Sequence, residues 1–332
     1  MTRKYVTFSK NVFIPVTNVC RNACDYCVFR ARSRDDAYVT TVSDFLTVVR
    51  NKGAATEALC SGGENPEAAA LSSFFNDHVT KEGFSSLVAY TKHLCKLAIQ
   101  HGLLPHCNLG VLSREELLEL KDVNASMGLM LETTAELEAH KNSPGKDPAV
   151  RLEMIAEAGR LKIPFTTGIL IGIGEGNEDR IRSLEAIASV HKQYGHIQEV
   201  IIQPFLPKQT TAMWHQKQPR FEELKETVRA AHVILPAEIA IQVPPNLTSP
   251  KELIELGASD LGGISERTID YINPESPWPR EEELRRKIAP YELRERLPIY
   301  PQFIKQGWYS DELRPLIERY ADEEGLRLKE GK

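Results

Sequence analysis

The chain has 332 residues, 42% of them hydrophobic and 26% charged, which suffices for one large single-cored domain or two ordinary ones. Its net charge of −5 gives no global attraction to nucleic acid or anionic membranes, and no apolar run approaches the roughly 20 residues of a membrane span. The basic start, Met1–Lys10, has no apolar segment behind it before Cys20 and does not read as a secretory signal; six cysteines in a chain this long are no disulfide framework, so a reducing, cytoplasmic compartment is expected.

The first apolar run, Val12–Thr17, predicts a strand, and Cys20, Cys24 and Cys27 follow it directly in a C-x3-C-x2-C run. Next come a helical pattern over Val42–Lys52 and a strand over Ala58–Ser61 that leads into Cys60-Ser-Gly-Gly-Glu64. Helix Leu87–Gln100, strand Leu103–Asn108 and helix Arg114–Leu120 follow, the last capped by Ser113. Strand Ala125–Leu131 ends at Glu132, and helix Pro148–Leu161 starts at Asp147 with proline in its favoured first position. Strand Pro164–Ile171, helix Glu178–Tyr194, strand Val200–Phe205, helix Phe221–Leu235, strand Ile239–Val243, helix Lys251–Leu256 and strand Ala258–Ile264 complete the series. Strand–helix alternation without a Gly/Ser-rich linker predicts an α/β fold, a closed (β/α)8 barrel, with a partial barrel of six units as the alternative. After Asn273, prolines and dense charge (Arg280–Lys287) predict an extension, 273–332, that packs on one end of the 1–272 barrel in the same domain and finishes in a helix near Ser310–Tyr320.

Catalytic groups of such barrels sit at the C-terminal ends of strands, where the cysteine run falls. Three thiolates at this spacing can surround one metal centre but supply only three ligands. Structural zinc takes four protein ligands, and no neighbouring Cys or His completes a set; a 4Fe–4S cluster on three cysteines leaves one iron open to an outside molecule. Cys60, Cys95 and Cys107 are isolated in sequence and read as small core residues. On the same rim, Ser61, Gly62, Gly63 and Glu64 let backbone approach a ligand closely and offer a carboxylate to a cationic amino group. Gly168-Ile-Leu-Ile-Gly-Ile-Gly-Glu175 offers apolar and backbone contacts to an adenine; it does not meet the dinucleotide pattern G-x-G-x-x-G cleanly. The Glu132 carboxylate suits ribose hydroxyls or an amino group, and Arg151, on the next helix's first turn, suits a ligand carboxylate.

Together these residues resemble the radical S-adenosylmethionine (radical SAM) superfamily, whose motif C-x3-C-x-aromatic-C is met by Cys20, Cys24, Tyr26 and Cys27. The resemblance implies a 4Fe–4S cluster on the three cysteines, with Tyr26 beside it, and S-adenosylmethionine on the open iron. By the same resemblance Ser61–Glu64 meet the methionine amine, Gly168, Ile171, Gly172 and Glu175 form the adenine edge, and Glu132 and Arg151 meet ribose and carboxylate. Longer stretches, among them Gly102–Gly110, Val123–Glu132, Ser143–Asp147, Gln242–Leu247, Asp260–Ser265 and Asn273–Pro279, are similar to the cyclising radical SAM subunits of deazaflavin synthase. Cys107 departs from that pattern, where a small hydroxylated residue is expected, as does the run Leu59-Cys60-Ser61.

This resemblance implies a lyase-type reaction. A 5′-deoxyadenosyl radical takes hydrogen from 5-amino-5-(4-hydroxybenzyl)-6-(ribitylimino)uracil, the ring closes, ammonia leaves, and oxidation gives the deazaflavin chromophore of coenzyme F420. A tyrosine-adding partner subunit supplies the substrate and a low-potential donor the electron; nucleic acid and membrane have no part. The pocket candidates that follow are His106 (as a base), Asn108, Gln203, Asn246 and Gly263. The tyrosine-adding subunit itself, a menaquinone-pathway homologue and a non-catalytic iron–sulfur or zinc protein are the competing readings.

Overall fold

The computed structural model describes residues 5–329; residues 1–4 and 330–332, the outermost ends of the expected barrel and extension, lie outside the described residues. The strands are β1 (Tyr5–Thr17), β2 (Glu57–Gly62), β3 (Leu104–Asn108), β4 (Ser126–Gly128), β5 (Phe165–Ile171), β6 (Ile197–Pro204), β7 (Ala240–Gln242), β8 (Asp260–Ile264) and β9 (Glu292–Glu295). The helices are α1 (Val42–Arg50), α2 (Ser72–Lys81), α3 (Leu87–Gln100), α4 (Arg114–Lys121), α5 (Pro148–Arg160), α6 (Asn177–Tyr194), α7 (Phe221–Ile234), α8 (Pro250–Glu255), α9 (Glu281–Ile288), α10 (Pro301–Lys305) and α11 (Arg314–Tyr320). Strands β1 to β8 pair in parallel with their sequence neighbours, and β1 pairs with both β2 and β8. The sheet therefore closes: this is the full (β/α)8 barrel rather than six units.

Local chemistry explains where the helices begin. Ser113 and Glu116 form a reciprocal capping box at α4, and Asp147 accepts from the Ala149 N–H to open α5 behind Pro148. Several elements escape the sequence patterns, among them the short helices α9 and α10 of the extension. Helix α2 has few apolar residues to mark it, with only Phe75 and Val79 buried. Strand β9 is charged, Glu-Leu-Arg-Glu, and burial of Leu293 alone anchors it to the core. Strand β1 starts at Tyr5 rather than Val12, because Thr7, Ser9 and Asn11 are polar residues that are nonetheless buried. Expected strand Ala125–Leu131 shortens to β4; beyond it the chain leaves the ladder and touches β5 again through a bridge between Glu132 and Ile169.

Those polar residues of β1 meet a charged layer in the base of the barrel. Arg296 donates to Asp260 (2.7 Å) and to Glu199 (3.1 Å), Tyr300 donates to Glu199 (2.7 Å), and Ser9 donates to Glu57 (2.7 Å). Every member is buried. The chain reaches this position after β9, which pairs with Tyr5–Phe8 of β1; the Pro298 carbonyl then accepts from Ser126 and Gln198. Leu297, Ile299, Phe303, Leu313 and Ile317 cover the strand starts at Leu104, Ala125 and Ala240. Residues after Asn273 thus seal the N-terminal mouth of the barrel and leave the opposite mouth open.

One guanidinium faces three carboxyl groups here, so full ionisation leaves excess negative charge in a dry layer. Burial accordingly lifts the Glu57 carboxyl to about 7. A carboxyl raised in this way favours the fold below its ordinary range and loses that contribution as pH rises through the folded value. Glu57→Gln is therefore expected to match the wild type in urea unfolding near pH 4.5 and to exceed it at about pH 8 by up to ~3 kcal/mol; parallel pH dependence of the two proteins would refute this. Arg296→Leu leaves the carboxylates unpartnered and is expected to cost about 3–5 kcal/mol at neutral pH in the same measurement.

Candidate active site

The open mouth holds a cavity of about 310 Å³, within the range of small-molecule sites. Cys20, Cys24 and Cys27 line it together with Tyr26, Ser61, Gly62, Gly63, Glu64, Asn108, Glu132, Arg151 and Gln203. The barrel thus gathers twelve of the residues singled out in the sequence around one space, from the ends of β1, β2, β3 and β6, the stretch after β4 and the first turn of α5.

The cysteine loop is pinned from two sides. Toward β2, the Gly63 N–H donates to Thr17 O (2.8 Å), the Arg21 N–H to Glu64 O (2.9 Å) and the Glu64 N–H to Cys20 Sγ (3.2 Å). A Cβ at Gly63 would lie 2.0 Å from the Val19 carbonyl oxygen and 2.9 Å from Cys20 Cβ, so only glycine permits this approach. Toward the segment before α5, Ser143 Oγ accepts from the Ala23 N–H (3.1 Å) and donates to Cys24 Sγ (3.2 Å), while Asn22 Oδ1 accepts from the Gly145 N–H (2.8 Å). The Tyr26 hydroxyl meets His140 Nε2 at 3.0 Å. Burial pushes the Cys20 thiol up to about 11 and raises Cys27 as well. Both stay protonated at neutral pH unless a cation takes the proton's place, the behaviour of metal ligands in a dry loop.

Glu64 lies behind this loop. Its carboxylate accepts from Arg21 Nε (2.8 Å), the Val111 N–H (3.0 Å) and Arg151 (3.4 Å). Burial opposes its charge, yet Arg151, the Val111 N–H and Arg21 hold it below the usual carboxylate range. A Cβ at Gly145 would fall 1.5 Å from Glu64 Oε1, so the loop before α5 closes directly onto the carboxylate. Arg151 is fully engaged: it also donates to Gly145 O (2.7 Å) and to Met130 O. Glu132 pairs with Lys146 at 2.5 Å, and despite burial Lys146 and Arg151 keep it ionised below its ordinary range. Its backbone is left-handed (φ 67°), an uncommon conformation for a side chain of this size and a mark of a locally over-determined site. Arg21, Ser143 and Lys146 were not singled out from the sequence; Arg21 sits inside the cysteine run and the other two in Ser143-Pro-Gly-Lys146, which is where a signal lay.

The glycine run after β5 plays a different part from a direct ligand contact. Glu175 accepts from the Gly172 and Ile173 N–H groups (2.8 Å each) and from Arg180 Nε (2.8 Å), so its carboxylate shapes the loop from within. Gly172 takes φ 97°, which requires glycine. Gly168 clears space for Met130, and Ile171 points into the barrel–helix core.

Three expected pocket residues lie elsewhere. His106 is two positions before Asn108 on β3 and therefore one layer deeper. Ser126 donates its hydroxyl to Pro298 O, so it accepts from His106 Nδ1 at 2.7 Å, which fixes the proton on that nitrogen. Burial pushes the imidazole down to about 3. Asn246 donates to Asp270 (3.0 Å) and Ser276 O (3.1 Å) beside a second hollow between the ends of β6 and β7. Gly263 pairs with Ser9 and abuts Asn11, in the lower half of the barrel rather than at its rim.

Residues 14–187 match the profile of the Radical SAM superfamily. The chain belongs to this superfamily. Among curated relatives, the 7,8-didemethyl-8-hydroxy-5-deazariboflavin synthase of Methanococcoides burtonii is 54% identical over 98% of this chain and 99% of its own length. The synthase of the same name from Archaeoglobus fulgidus is 52% identical over 97% of this chain and 98% of its own. The chain therefore belongs with the deazariboflavin synthases inside the superfamily. Two solved structures share its fold at 16% identity: HydG, a maturase of the FeFe-hydrogenase (TM-score 0.71, 95% of this chain and 69% of that one), and methylornithine synthase (TM-score 0.63, 94% and 86%).

Radical SAM enzymes carry a 4Fe–4S cluster and S-adenosylmethionine. The residues present fit that pair: three thiols on one loop, donors already aimed at two of their sulfurs, and a cavity large enough for a small molecule beside them. Gly63→Ala drives its methyl group into the loop that carries Cys20. It is expected to weaken iron loading about 10- to 100-fold, measured as iron and sulfide content after anaerobic reconstitution; wild-type loading would overturn this account of the loop.

Proposed function

We propose that this radical SAM enzyme forms the deazaflavin chromophore by radical cyclisation and ammonia loss from the hydroxybenzyl–ribityliminouracil adduct, a carbon–nitrogen lyase step in coenzyme F420 synthesis. The observation that carries this is whole-length identity of about half to curated deazariboflavin synthases, combined with a thiol-lined cavity at the open mouth. The adduct would come from a tyrosine-adding partner subunit and the electron from a low-potential donor. No helix among the described residues is long and apolar enough to cross a membrane, and six free cysteines suit a reducing cytoplasm.

In this reading Cys20, Cys24 and Cys27 hold the cluster, and Tyr26 with the apolar wall of Leu170 and Phe205 shields it. A cluster held there would supply one-electron reduction of a neighbouring S-adenosylmethionine. Ser61, Gly62, Gly63 and Glu64 receive the methionine end of S-adenosylmethionine. Of the two arginines on Glu64, Arg21 is the more exposed, at 25% against 3% for Arg151, and is the one an incoming ammonium would displace. Arg151 stays and keeps Glu64 ionised. Glu132, held by Lys146, receives ribose hydroxyls. Gly168, Ile171, Gly172 and Glu175 form the adenine edge indirectly, by fixing the loop after β5. Asn108 and Gln203 hold the uracil of the substrate above Phe13 and Ile201, which exclude water from the radical. His106, Asn246 and Gly263 support the pocket without touching substrate, and no base is assigned to His106.

Anaerobic turnover of reconstituted enzyme tests this directly. With reductant, S-adenosylmethionine and the hydroxybenzyl adduct, 5′-deoxyadenosine and a fluorescent deazaflavin should appear together. Consumption of tyrosine and aminoribityluracil in place of the adduct would instead make it the tyrosine-adding enzyme. An electron paramagnetic resonance spectrum of the reduced cluster unchanged by S-adenosylmethionine would sink the radical reading altogether. Glu64→Gln should weaken S-adenosylmethionine about 10- to 100-fold while leaving iron content intact.

A further inference from the structure

The radical chemistry makes no use of Cys60, Cys95 and Cys107. Cys60 on β2 and Cys107 on β3 are register partners. Their neighbours Ser61 and Asn108 face the cavity, so by the alternation of a strand both cysteines face outward. There α3 covers them and presents Cys95. Residues far apart in sequence thereby place three sulfur atoms within 4.8 Å of one another, with Cys95 Sγ and Cys107 Sγ 3.5 Å apart. All three are buried.

We propose that this nest is a second metal site, separate from the iron–sulfur loop, and that it takes a single thiophilic d10 ion of the Cu(I) class. An ion bound to three sulfurs at about 2.3 Å in a plane sets them about 4.0 Å apart, between the 3.5 Å of Cys95 and Cys107 and the 4.8 Å that bounds all three pairs here. Three sulfurs within 4.8 Å of one another suit one ion and leave no room for a cube of iron and sulfide.

Donor chemistry chooses among ions. Three soft sulfurs select Cu(I) or Zn(II) over harder cations, and structural zinc is closed by four protein ligands. The group found among the described residues has three members, a set that Cu(I) accepts as it stands. Asn124 adds an independent sign of an unfinished site: its Nδ2 lies 3.9 Å from Cys95 Sγ, and its Oδ1 is buried with no hydrogen-bond partner. Thr91, one helical turn before Cys95 on the same face of α3, likewise has a buried hydroxyl without a partner. Small apolar residues fill such positions without orphaned polar groups. Each thiol that binds releases its proton to solvent, so uptake strengthens with pH.

The test uses the reconstituted holoenzyme under anaerobic conditions, so that iron occupies Cys20, Cys24 and Cys27. Cu(I) is delivered from a chromogenic chelator in excess, and copper and iron per chain are measured after desalting, with X-ray absorption on the retained copper. One copper per chain in a three-sulfur shell, with iron content unchanged, is the expected result. Cys95→Ala and Cys60→Ala should each bind copper at least about tenfold more weakly while retaining iron; two variants guard against one that fails to fold. No retained copper, equal retention in the alanine variants, preference for Zn(II) over Cu(I), or uptake matched by iron loss would each overturn the proposal. Because iron loading and deazaflavin formation are read separately, failure here leaves the enzymatic reading untouched.

Discussion

The active-site end of the barrel is organised around one buried carboxylate. Glu64 stands at the end of β2, yet its partners come from the cysteine loop (Arg21), the turn after β3 (Val111) and the first turn of α5 (Arg151). A buried charge demands complete compensation, and here that demand joins segments otherwise connected only through long stretches of chain. Gly110 and Gly145 are required because both backbones press against this one side chain. Arg151 extends the link to Met130 and so to the stretch carrying Glu132. Remove the charge and Arg21, Val111 and Arg151 lose their shared partner, while the backbone contacts of Gly63 and Glu64 and the side chains of Ser143 and Asn22 still hold the cysteine loop.

Much of this was legible in the sequence, and the limits have physical causes. The cysteine run announces itself because ligand spacing is set by metal geometry, and the alternation of apolar strands with helices announces the barrel. Strand β9 and the lower half of β1 do not, because they are polar segments whose partners are each other and a charged layer; periodicity reports contact with an apolar core, not contact with Arg296. The pocket assignments divide in the same way. Asn108 and Gln203 lie in the last two positions of their strands and face the cavity. His106 lies two residues earlier in β3 and falls below it; Gly263 is next to last in β8, but β8 is in register with the lower half of β1 at Ser9, so it too falls below the rim, a matter of strand depth and stagger that sequence pattern does not report. Glu175 shows a further limit, since an acidic residue after a glycine run marks a ligand contact or a loop brace equally well, and only the hydrogen bonds to Gly172, Ile173 and Arg180 tell them apart.

Kinship with the deazariboflavin synthases and the geometry answer different questions. Identity over the whole chain speaks to which reaction is catalysed. The structure speaks to the walls of the open mouth, where the apolar side chains of Met130, Leu170 and Ile201 face the cavity between its charged and polar groups and limit the water that can reach it.

Strand β1 is 13 residues long and carries two tasks in series. Its upper half leads into the cysteine loop and its lower half is paired by β9, which lies near the C-terminus. During synthesis the first strand of the barrel therefore waits for nearly the last, and the base stays unsealed until Arg296 has left the ribosome. The cysteine loop has an earlier schedule: its braces, Gly63, Glu64, Ser143 and Gly145, all lie in the first half of the chain, so the two ends of the one strand are completed at different times.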